Sequence, residues 1–389
     1  MNLLHAHHQH PDLEFVRGRT VLLMGDSVDR DHNEHICGFL EGEFRFIDWD
    51  HPASPAPPPG VKPGGGNTQS RPYECYIARY EFRIVSVFHF GFRPAHQEGE
   101  WLLQSPHFYE PSTPEDRFDL VARPLAAALG AHPVPDLFSF TSGFWDLMRQ
   151  VFADDLELKL LADAGAASEA DAARLDAWAE LTEERLEWYA RHFERFMRKV
   201  VDTWPGDKPR VLWRGLHRPK PFRNAPAHRV QAVDQLGRSI VERLIRDDRA
   251  ARAELVAMDD EAAVSSSPAG HAGFGVGRLG DARSWFDKRR QPKAKEEESP
   301  EALRAAEQAR IQGAQEHRRI NLEARVLGKV PLGERMAINP WGSLIAGQER
   351  HFRDDVHPNG FPSSWLYGNT LLHQLKLAVE GTDLSGPRV

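Results

Sequence analysis

The stretch that decides the fold is TVLLMGDSVDRDHNEHICGFL, residues 20–40. It begins with a short apolar run that ends in Gly-Asp, which is typical of a buried strand. The following segment places Ile36 and Phe39 on one helical face, and Gly42 just beyond is a stop signal. Ser27 is therefore predicted at the carboxyl end of a strand and the mouth of a helix, where open α/β sheets form their sites.

The same order of strand and helix repeats along the rest of the chain. Short apolar runs predict further strands at 44–48, 73–90, 136–141 and 210–213, and helical spacing predicts helices at 117–130, 147–163, 168–203, 228–246, 300–327 and 361–380. This order indicates a parallel sheet between layers of helices. The expected fold class is α/β, a three-layer α/β/α sandwich with a mainly parallel sheet.

The chain has 389 residues, which allows two domains, but we expect one catalytic domain over 1–389 with insertions. Residues 51–72 form a Pro/Gly-rich loop, and residues 147–205 are predicted to form a helical excursion. Residues 259–299 are charged and rich in Ala, Ser and Gly, and we expect this insertion to be disordered.

Composition excludes several classes of protein. The net charge is −8, from 49 basic and 57 acidic residues, so no global basic field favours nucleic acid. No apolar run approaches the ~18–20 residues of a membrane span, and the N-terminus lacks the layout of a signal peptide. We expect a monomer without a membrane span, and localisation stays open.

Gly25-Asp26-Ser27 is the first group of residues that can carry chemistry. Serine is a poor nucleophile unless a base accepts its proton. A turn from strand to helix exposes the hydroxyl and directs helix N–H groups at the same space, where they can stabilise an oxyanion. The alternative is that Asp26 or Ser27 only caps the helix.

DDVHPN, residues 354–359, is the second such group. A catalytic histidine needs a carboxylate that fixes its tautomer, and Asp354, three residues before His357, can supply it across a turn. Asp355 is the other candidate, and a simple polar turn before the last helix is the alternative. If both groups lie at the same edge of a wound sheet, Ser27, His357 and Asp354 form a catalytic triad.

Four segments together resemble the SGNH/GDSL hydrolase superfamily. They are GDSVDRDH (25–32), TSGFWDL (141–147), VLWRGLHRP (211–219) and WGSLIAGQERHFRDDVHPNG (341–360). They are most similar to the PC-esterase group, which includes trichome-birefringence-like polysaccharide acetyltransferases and fungal relatives. The resemblance implies a flavodoxin-like α/β/α sandwich, and a Ser-His-Asp triad that uses no metal or cofactor. It also implies an esterase or O-acetyltransferase that acts on an acylated carbohydrate.

One residue departs from the family pattern. In the family's GxND segment an Asn side chain donates to the oxyanion, but this chain has Gly143-Phe144-Trp145-Asp146. The N–H groups of Ser27 and Gly91 are the expected donors, and the side chains of Ser142 and Arg214 are possible substitutes. The alternatives are a tight turn at Gly91, a loop cap at Ser142 and a surface ion pair at Arg214.

Other positions carry weaker expectations. Trp145 is a candidate sugar platform or else a core residue, and Asp26, Arg30 and His217 are candidate cleft residues, although a structural role for His217 is the alternative. We expect no metal site at Asp29-Arg30-Asp31, because a helix points residues i and i+2 to different faces.

Two cysteines, Cys37 and Cys75, lie near the first strands. We predict a disulfide between them, with two buried free thiols as the alternative, and a disulfide would point to the secretory pathway or the extracellular space.

Two further functions compete with an acetylated-glycan enzyme. A catalytically inactive carbohydrate-binding or scaffold protein of this fold would keep Ser27 and His357 beyond hydrogen-bond reach of each other. A lipid esterase would hold its ester in a deep apolar tunnel.

Overall fold

The computed structural model describes residues 11–47, 51–54, 71–93, 113–265 and 299–380. Within these ranges the chain is α/β and contains one seven-stranded mixed sheet with the strand order β2-β3-β4-β1-β5-β6-β7. The strands are β1 (Thr20–Gly25), β2 (Glu43–Phe46), β3 (Tyr73–Ile77), β4 (Phe82–Phe88), β5 (Leu137–Phe140), β6 (Arg210–Arg214) and β7 (Met336–Asn339).

The sheet is parallel from β4 to β7 and antiparallel at its other edge. β1 lies in the centre and pairs in parallel with β4 and β5, and the β5–β6 and β6–β7 pairs are also parallel. β3 runs antiparallel to both β2 and β4. The predicted run at 73–90 is thus two strands that the turn Ala78–Tyr80 joins.

The described residues also contain six longer helices. They are α1 (Ser27–Phe39), α2 (Phe144–Asp163), α3 (Glu183–Thr203), α4 (Ala227–Ser265), α5 (Pro300–Glu323) and α6 (Trp365–Glu380). The shorter helical segments are Pro11–Val16, Pro114–Arg117, Phe118–Ala122, Arg123–Leu129, Glu169–Arg174, Leu332–Arg335, Trp341–Leu344, Glu349–His351 and Gly360–Ser364. None of the described helices is both long and apolar enough to cross a membrane.

Helices cover both faces of the sheet. Val21 and Leu23 of β1 are buried against side chains of α1 and α6, whereas Leu22 and Met24 are buried against α2, α3 and the first part of α4. Because successive strand residues point to opposite faces, a strand buried on both faces is apolar throughout. This explains why TVLLMG has no polar alternation, and the arrangement is compatible with the expected three layers.

The described residues divide into two compact units. One contains the sheet and runs to Arg246 and again from Leu327, and the other is formed by 247–326. In the second unit, Arg318 of α5 forms an ion pair with Glu254 of α4. This division differs from the single domain that the sequence suggested.

Two predicted segments also need correction. The 147–205 segment is helical, but α3 buries Phe193 and Phe196 in the main core and is therefore not an excursion. The helix predicted at 168–203 is interrupted, because Ser168 and Thr182 each cap a separate helix. Residues 259–265 belong to α4, so the prediction of disorder is wrong there, and 266–298 lie outside the described residues.

The Pro/Gly-rich loop predicted at 51–72 is described only at its ends. Residues 51–54 and 71–72 contain no helix or strand, and 55–70 lie outside the described residues.

A disulfide joins Cys37 of α1 to Cys75 of β3, as expected from the sequence. Both cysteines are buried, and a Cβ at Gly42 would lie about 3 Å from each sulfur. The turn after α1 therefore passes close to the bond and has room only for glycine. The bond attaches the helix that begins at Ser27 to the antiparallel edge of the sheet.

Candidate active site

Ser27 is the first residue of α1, directly after the central strand. Asp26 is the N-cap: its carboxylate accepts the Val28 N–H at 2.9 Å, while its own N–H donates to Asp29 at 3.2 Å. This reciprocal pair satisfies the first donors of the helix without the Ser27 hydroxyl. A Cβ at Gly25 would collide with the Asp29 carboxylate, so the turn requires glycine there. The hydroxyl of Ser27 is consequently available for another partner.

That partner is His357. The Ser27 Oγ lies 2.7 Å from His357 Nε2, and His357 Nδ1 lies 2.8 Å from the Asp354 Oδ2. The Asp354 Oδ1 also accepts the backbone N–H groups of Val356 and His357, at 2.9 and 2.7 Å. Residues 330 positions apart are thus joined in a continuous chain of hydrogen bonds from hydroxyl to imidazole to carboxylate.

Asp354 is suited to hold the imidazole. Although burial acts in the opposite direction, the two N–H donors and His357 lower the pKa of Asp354 to about 2. The carboxylate is therefore ionised near neutral pH and accepts the hydrogen of Nδ1, which leaves a lone pair on Nε2 facing Oγ. Asp355, the other candidate, is exposed, and its carbonyl accepts the Lys220 N–H.

His217 supports the loop that carries His357. It is fully buried, and its Nε2 donates to the Val356 carbonyl at 2.7 Å. Burial lowers the pKa of His217 to about 3, so the ring is neutral. The predicted cleft histidine thus lies behind the loop, and it is not among the residues that line the cavity at Ser27.

Arg214 binds a carboxylate in the first turn of α1. It is fully buried at the end of β6, and it binds Asp29 through two parallel hydrogen bonds of 2.7 and 2.8 Å. The second carboxylate, that of Asp26, lies 3.6 Å away, and burial raises its pKa to about 6 against the opposing effect of Arg214. The alternative for Arg214 was an ion pair at the surface, whereas its ion pair with Asp29 is buried. The two hydrogen bonds to Asp29 hold the guanidinium in place.

Gly91 and Ser142 also donate elsewhere. The Gly91 N–H donates to His89 Nδ1 at 3.1 Å, and the Ser142 hydroxyl donates to the Asp146 carboxylate at 2.5 Å. Asp146 accepts the Phe92 N–H as well, at 2.7 Å, and burial raises the pKa of Asp146 to about 6. Gly91 has a φ of +83° and lies against Asp146, so this bond network accounts for glycine at that position.

A cavity of about 270 Å³ opens beside the Ser27 hydroxyl. Its walls are mostly apolar and come from four separate parts of the chain; they are formed by Asp26, Ser27, Arg30, Phe144, Trp145, Met148, Phe222, Val356 and His357. Trp145 is half-buried, and its ring meets that of Phe90 edge to face at 4.8 Å. The indole thus forms part of the cavity wall and rests on an aromatic pair, Phe88 and Phe90.

Two helices begin at this cavity. α1 begins at Ser27, and α2 begins at Phe144, after Gly143 with a φ of +141° and without a side-chain cap on its first N–H groups. A Cβ on Gly143 would press against the Leu216 side chain. The positive ends of two helix dipoles therefore lie near the same space.

Arg30 lies at the edge of this cavity. Its guanidinium bonds to Asp31 at 3.0 Å, and the other oxygen of Asp31 accepts from Arg353 at 2.8 Å. Asp29 and Asp31 thus bind different arginines, as their different helix faces require. In the described ranges, no three His, Cys, Asp or Glu side chains are grouped closely enough to hold a metal ion.

Sequence reasoning missed several residues of the site. Met148 and Phe222 line the cavity without any local signal, because only the packing of distant segments brings them there. Asp29 carried a usable signal, since an acidic residue three positions after an N-cap aspartate is the pattern of a reciprocal helix cap.

No family model, no curated protein and no solved structure matches this chain significantly. The motif resemblance to the SGNH/GDSL hydrolases consequently enters only as part of a proposal.

Proposed function

We propose that the chain is a serine-dependent carboxyl-ester hydrolase or O-acyltransferase of the SGNH type. The single observation that carries the proposal is the hydrogen-bond chain from Ser27 Oγ through His357 to Asp354, with distances of 2.7 and 2.8 Å. A serine, an imidazole and an ionised carboxylate in this order are the components of a nucleophile, its general base and the group that orients the base.

The proposed reaction has two halves. Ser27 Oγ attacks the ester carbonyl while its proton passes to His357 Nε2, and the tetrahedral intermediate then expels an alkoxide that takes this proton back. Water or a sugar hydroxyl next attacks the acyl-Ser27 ester and gives its proton to Nε2. When this second intermediate collapses, Nε2 returns the proton to the leaving Ser27 Oγ, which frees the acid or the acylated sugar. Hydrolysis and transfer differ only in this second acceptor.

The N-termini of α1 and α2 are the proposed oxyanion donors. The Ser27 N–H lies in the first turn of α1, and the N–H groups of a first turn have no acceptor within their own helix. The first turn of α2, where Phe144 and Trp145 line the same cavity, would replace the Asn that the family pattern has at Trp145. Losing one donor of this kind costs about 10²–10³ in rate, so a second donor is needed for efficient catalysis.

The size of the cavity supports a short acyl group. At about 270 Å³ it falls just below the roughly 300–1,000 Å³ typical of sites for drug-sized ligands. This small volume suits the methyl of an acetyl ester better than a long lipid chain, and the apolar walls suit the methyl. The inactive-scaffold alternative loses its geometric support, because Ser27 and His357 are within hydrogen-bond reach. Acetylated carbohydrate is the proposed substrate class, on the basis of the family resemblance.

Labelling with a fluorophosphonate probe tests the proposal. The native chain should be labelled at Ser27 and should hydrolyse 4-nitrophenyl acetate, and the Ser27→Ala variant should do neither. Equal labelling of the two proteins would show that Ser27 is not the nucleophile. A screen of acetylated glycans with and without acceptor sugars would then separate hydrolysis from transfer.

A further inference from the structure

The loop that carries His357 is a hairpin over residues 351–359. Near its tip, the Arg353 N–H donates to the His357 carbonyl at 2.8 Å. At its base, the Asn359 N–H donates to the His351 carbonyl at 3.1 Å. The tip of this His357 hairpin therefore carries the imidazole, and the two arms run from the triad to the base.

The His357 hairpin lies along one face of α1. Ser27, Asp31 and His35 are four residues apart, so their side chains share that face. The tip of the hairpin meets the helix at Ser27, and Arg353 bonds to Asp31 at 2.8 Å, one turn further. Gly360, directly after the hairpin, lies next to His35, since a Cβ on this glycine would be 3.3 Å from the imidazole ring. From Ser27 to His35 the helix rises by about 12 Å, and the hairpin follows it over this length.

The chemistry of the triad decides on which side of Ser27 the alcohol part of an ester lies. His357 Nε2 returns a proton to the leaving oxygen, so that oxygen has to come within hydrogen-bond reach of the imidazole. The acyl part lies in the cavity of about 270 Å³, between the side chains of Trp145, Met148 and Phe222. A sugar attached to the leaving oxygen therefore starts at the tip of the His357 hairpin, and further sugar units can follow the hairpin toward its base.

Exposed polar groups line this path. The Arg353 side chain is 54% exposed and uses one nitrogen to bind Asp31, which leaves other N–H groups of the guanidinium facing water. The Asn359 side chain is exposed, and its amide has no hydrogen-bond partner among the described residues. Both groups can donate to hydroxyl oxygens, and the amide can also accept. Asp31 binds Arg30 and Arg353 through different oxygens and so partly neutralises them, which suits a neutral ligand.

An aromatic pair lies at the far end of the path. Phe361 directly follows Gly360 and is 67% exposed, more than any other large apolar side chain in the described ranges. The centroid of its ring lies 5.8 Å from that of Trp365, which is half-buried. An exposed aromatic face gains free energy when an apolar surface covers it, and the C–H face of a sugar ring is such a surface.

We propose that the exposed surface of the His357 hairpin binds the carbohydrate chain of the substrate. Arg353 and Asn359 bond to its hydroxyl groups, and Phe361 stacks on a sugar ring roughly 12 Å along α1 from Ser27. The inference rests on the proposed function, because the acyl cavity and the position of Nε2 decide on which side the sugar lies. It makes Phe361 a residue that selects substrates by length, since a single acetylated sugar at Ser27 does not reach it.

Calorimetric titration of the full chain carrying Ser27→Ala tests the proposal, because this variant leaves the ester intact. The ligands are partially O-acetylated cellohexaose, xylohexaose and chitohexaose, and the corresponding disaccharides. At least one hexasaccharide should bind at least about tenfold more tightly than its disaccharide, and adding Phe361→Ala should remove most of this preference. Phe361→Tyr, which keeps an aromatic face, should retain the preference. Phe46→Ala, which truncates an exposed phenylalanine of β2, is the matched control and should retain it as well.

The proposal is overturned if no hexasaccharide binds, if the disaccharides bind equally well, or if the preference for length survives Phe361→Ala. A preference that is lost in Met148→Ala and kept in Phe361→Ala would place the chain along α2 and would also overturn it. Failure of the proposed function is a separate result. The protein with Ser27 intact would then leave 4-nitrophenyl acetate and every acetylated hexasaccharide unhydrolysed, whatever Kd values the titrations give.

Discussion

Replacing Asp354 with asparagine tests the proposed triad at the residue that sets the tautomer of His357. The asparagine oxygen can still accept the N–H groups of Val356 and His357, so the turn should keep its shape. The amide nitrogen, however, would face His357 Nδ1 as a donor. The imidazole hydrogen then moves to Nε2, which can no longer accept the Ser27 proton.

The size of the effect depends on how exposed the carboxylate is. For a buried aspartate in a triad, the same change lowers kcat by about 10⁴. The Asp354 side chain is 50% exposed, so water can take over part of its hydrogen bonding. We therefore expect a loss of about 10²–10³ in kcat/KM, or about 2.7–4 kcal/mol of transition-state stabilisation.

The assay compares Asp354→Asn with Asp355→Asn, using rates of fluorophosphonate labelling and of 4-nitrophenyl acetate hydrolysis. Asp355 is exposed one position away, and among the described residues it is bonded through its carbonyl and not through its carboxylate, so its variant should keep the native rates within about twofold. Ser27→Ala sets the background rate. Equal losses in the two aspartate variants, with unchanged melting temperatures, would refute the assignment of Asp354 as the orienting carboxylate.

Three further predictions concern stability. Asp29→Asn removes the carboxylate that binds the buried Arg214 guanidinium and leaves Asp26, at 3.6 Å, as the remaining counter-charge, so it should lower the free energy of unfolding by up to about 3–5 kcal/mol in urea titrations, whereas a loss under about 1 kcal/mol would contradict a stabilising buried pair. The Cys37→Ala/Cys75→Ala double variant loses a cross-link that spans 38 residues and should unfold about 2–4 kcal/mol more easily, and equal stability of oxidised native protein and variant would argue against the bond. Burial raises the pKa of Asp146 to about 6, so between pH 4 and 6 the native state holds the proton that the unfolded state has released, and stability should rise as the pH falls through that window. Asp146→Asn should abolish this contribution and raise the free energy of unfolding at pH 7 by up to about 3 kcal/mol. If the melting temperatures of the two proteins change with pH in the same way from pH 4 to 8, burial does not raise the pKa of Asp146.

Local patterns predicted the parts of the site that lie close together in the sequence. The apolar run before Gly25 predicted β1, and the three-residue spacing of Asp354 and His357 predicted their contact. The strand β7 was missed, because Met336–Asn339 is short and only two of its four residues are buried. Its place at the edge of the sheet depends on pairing with β6, which a local window does not contain.

The oxyanion donors were harder to predict for the same reason. Arg214 is the last residue of β6 and Ser142 lies two positions after β5, so both are polar residues at the carboxyl ends of strands, which makes them natural candidates for a site. Their partners decide their roles: Arg214 binds a carboxylate 185 positions away, and Ser142 binds Asp146 inside a network with Phe92. A buried donor bonds to an acceptor in the protein. The sequence shows the donor, but it does not show which acceptor lies next to it in the fold.

A helix cap and a nucleophile were alternatives for GDS, but in the structure the cap is Asp26, which leaves the neighbouring Ser27 available as the proposed nucleophile. Asp26 satisfies the first N–H groups of α1, so Ser27 can point its hydroxyl at His357. The carboxylates of Asp26 and Asp29 both lie near the N-terminus of α1, where the proposed oxyanion would form. Two negative charges at this place would repel the oxyanion. Arg214 opposes this negative charge by binding Asp29 through Nε and Nη2, while burial raises the pKa of Asp26 to about 6. The buried arginine thus offsets negative charge at the N-terminus of α1, and in the proposed reaction it would act through the helix and not through contact with substrate.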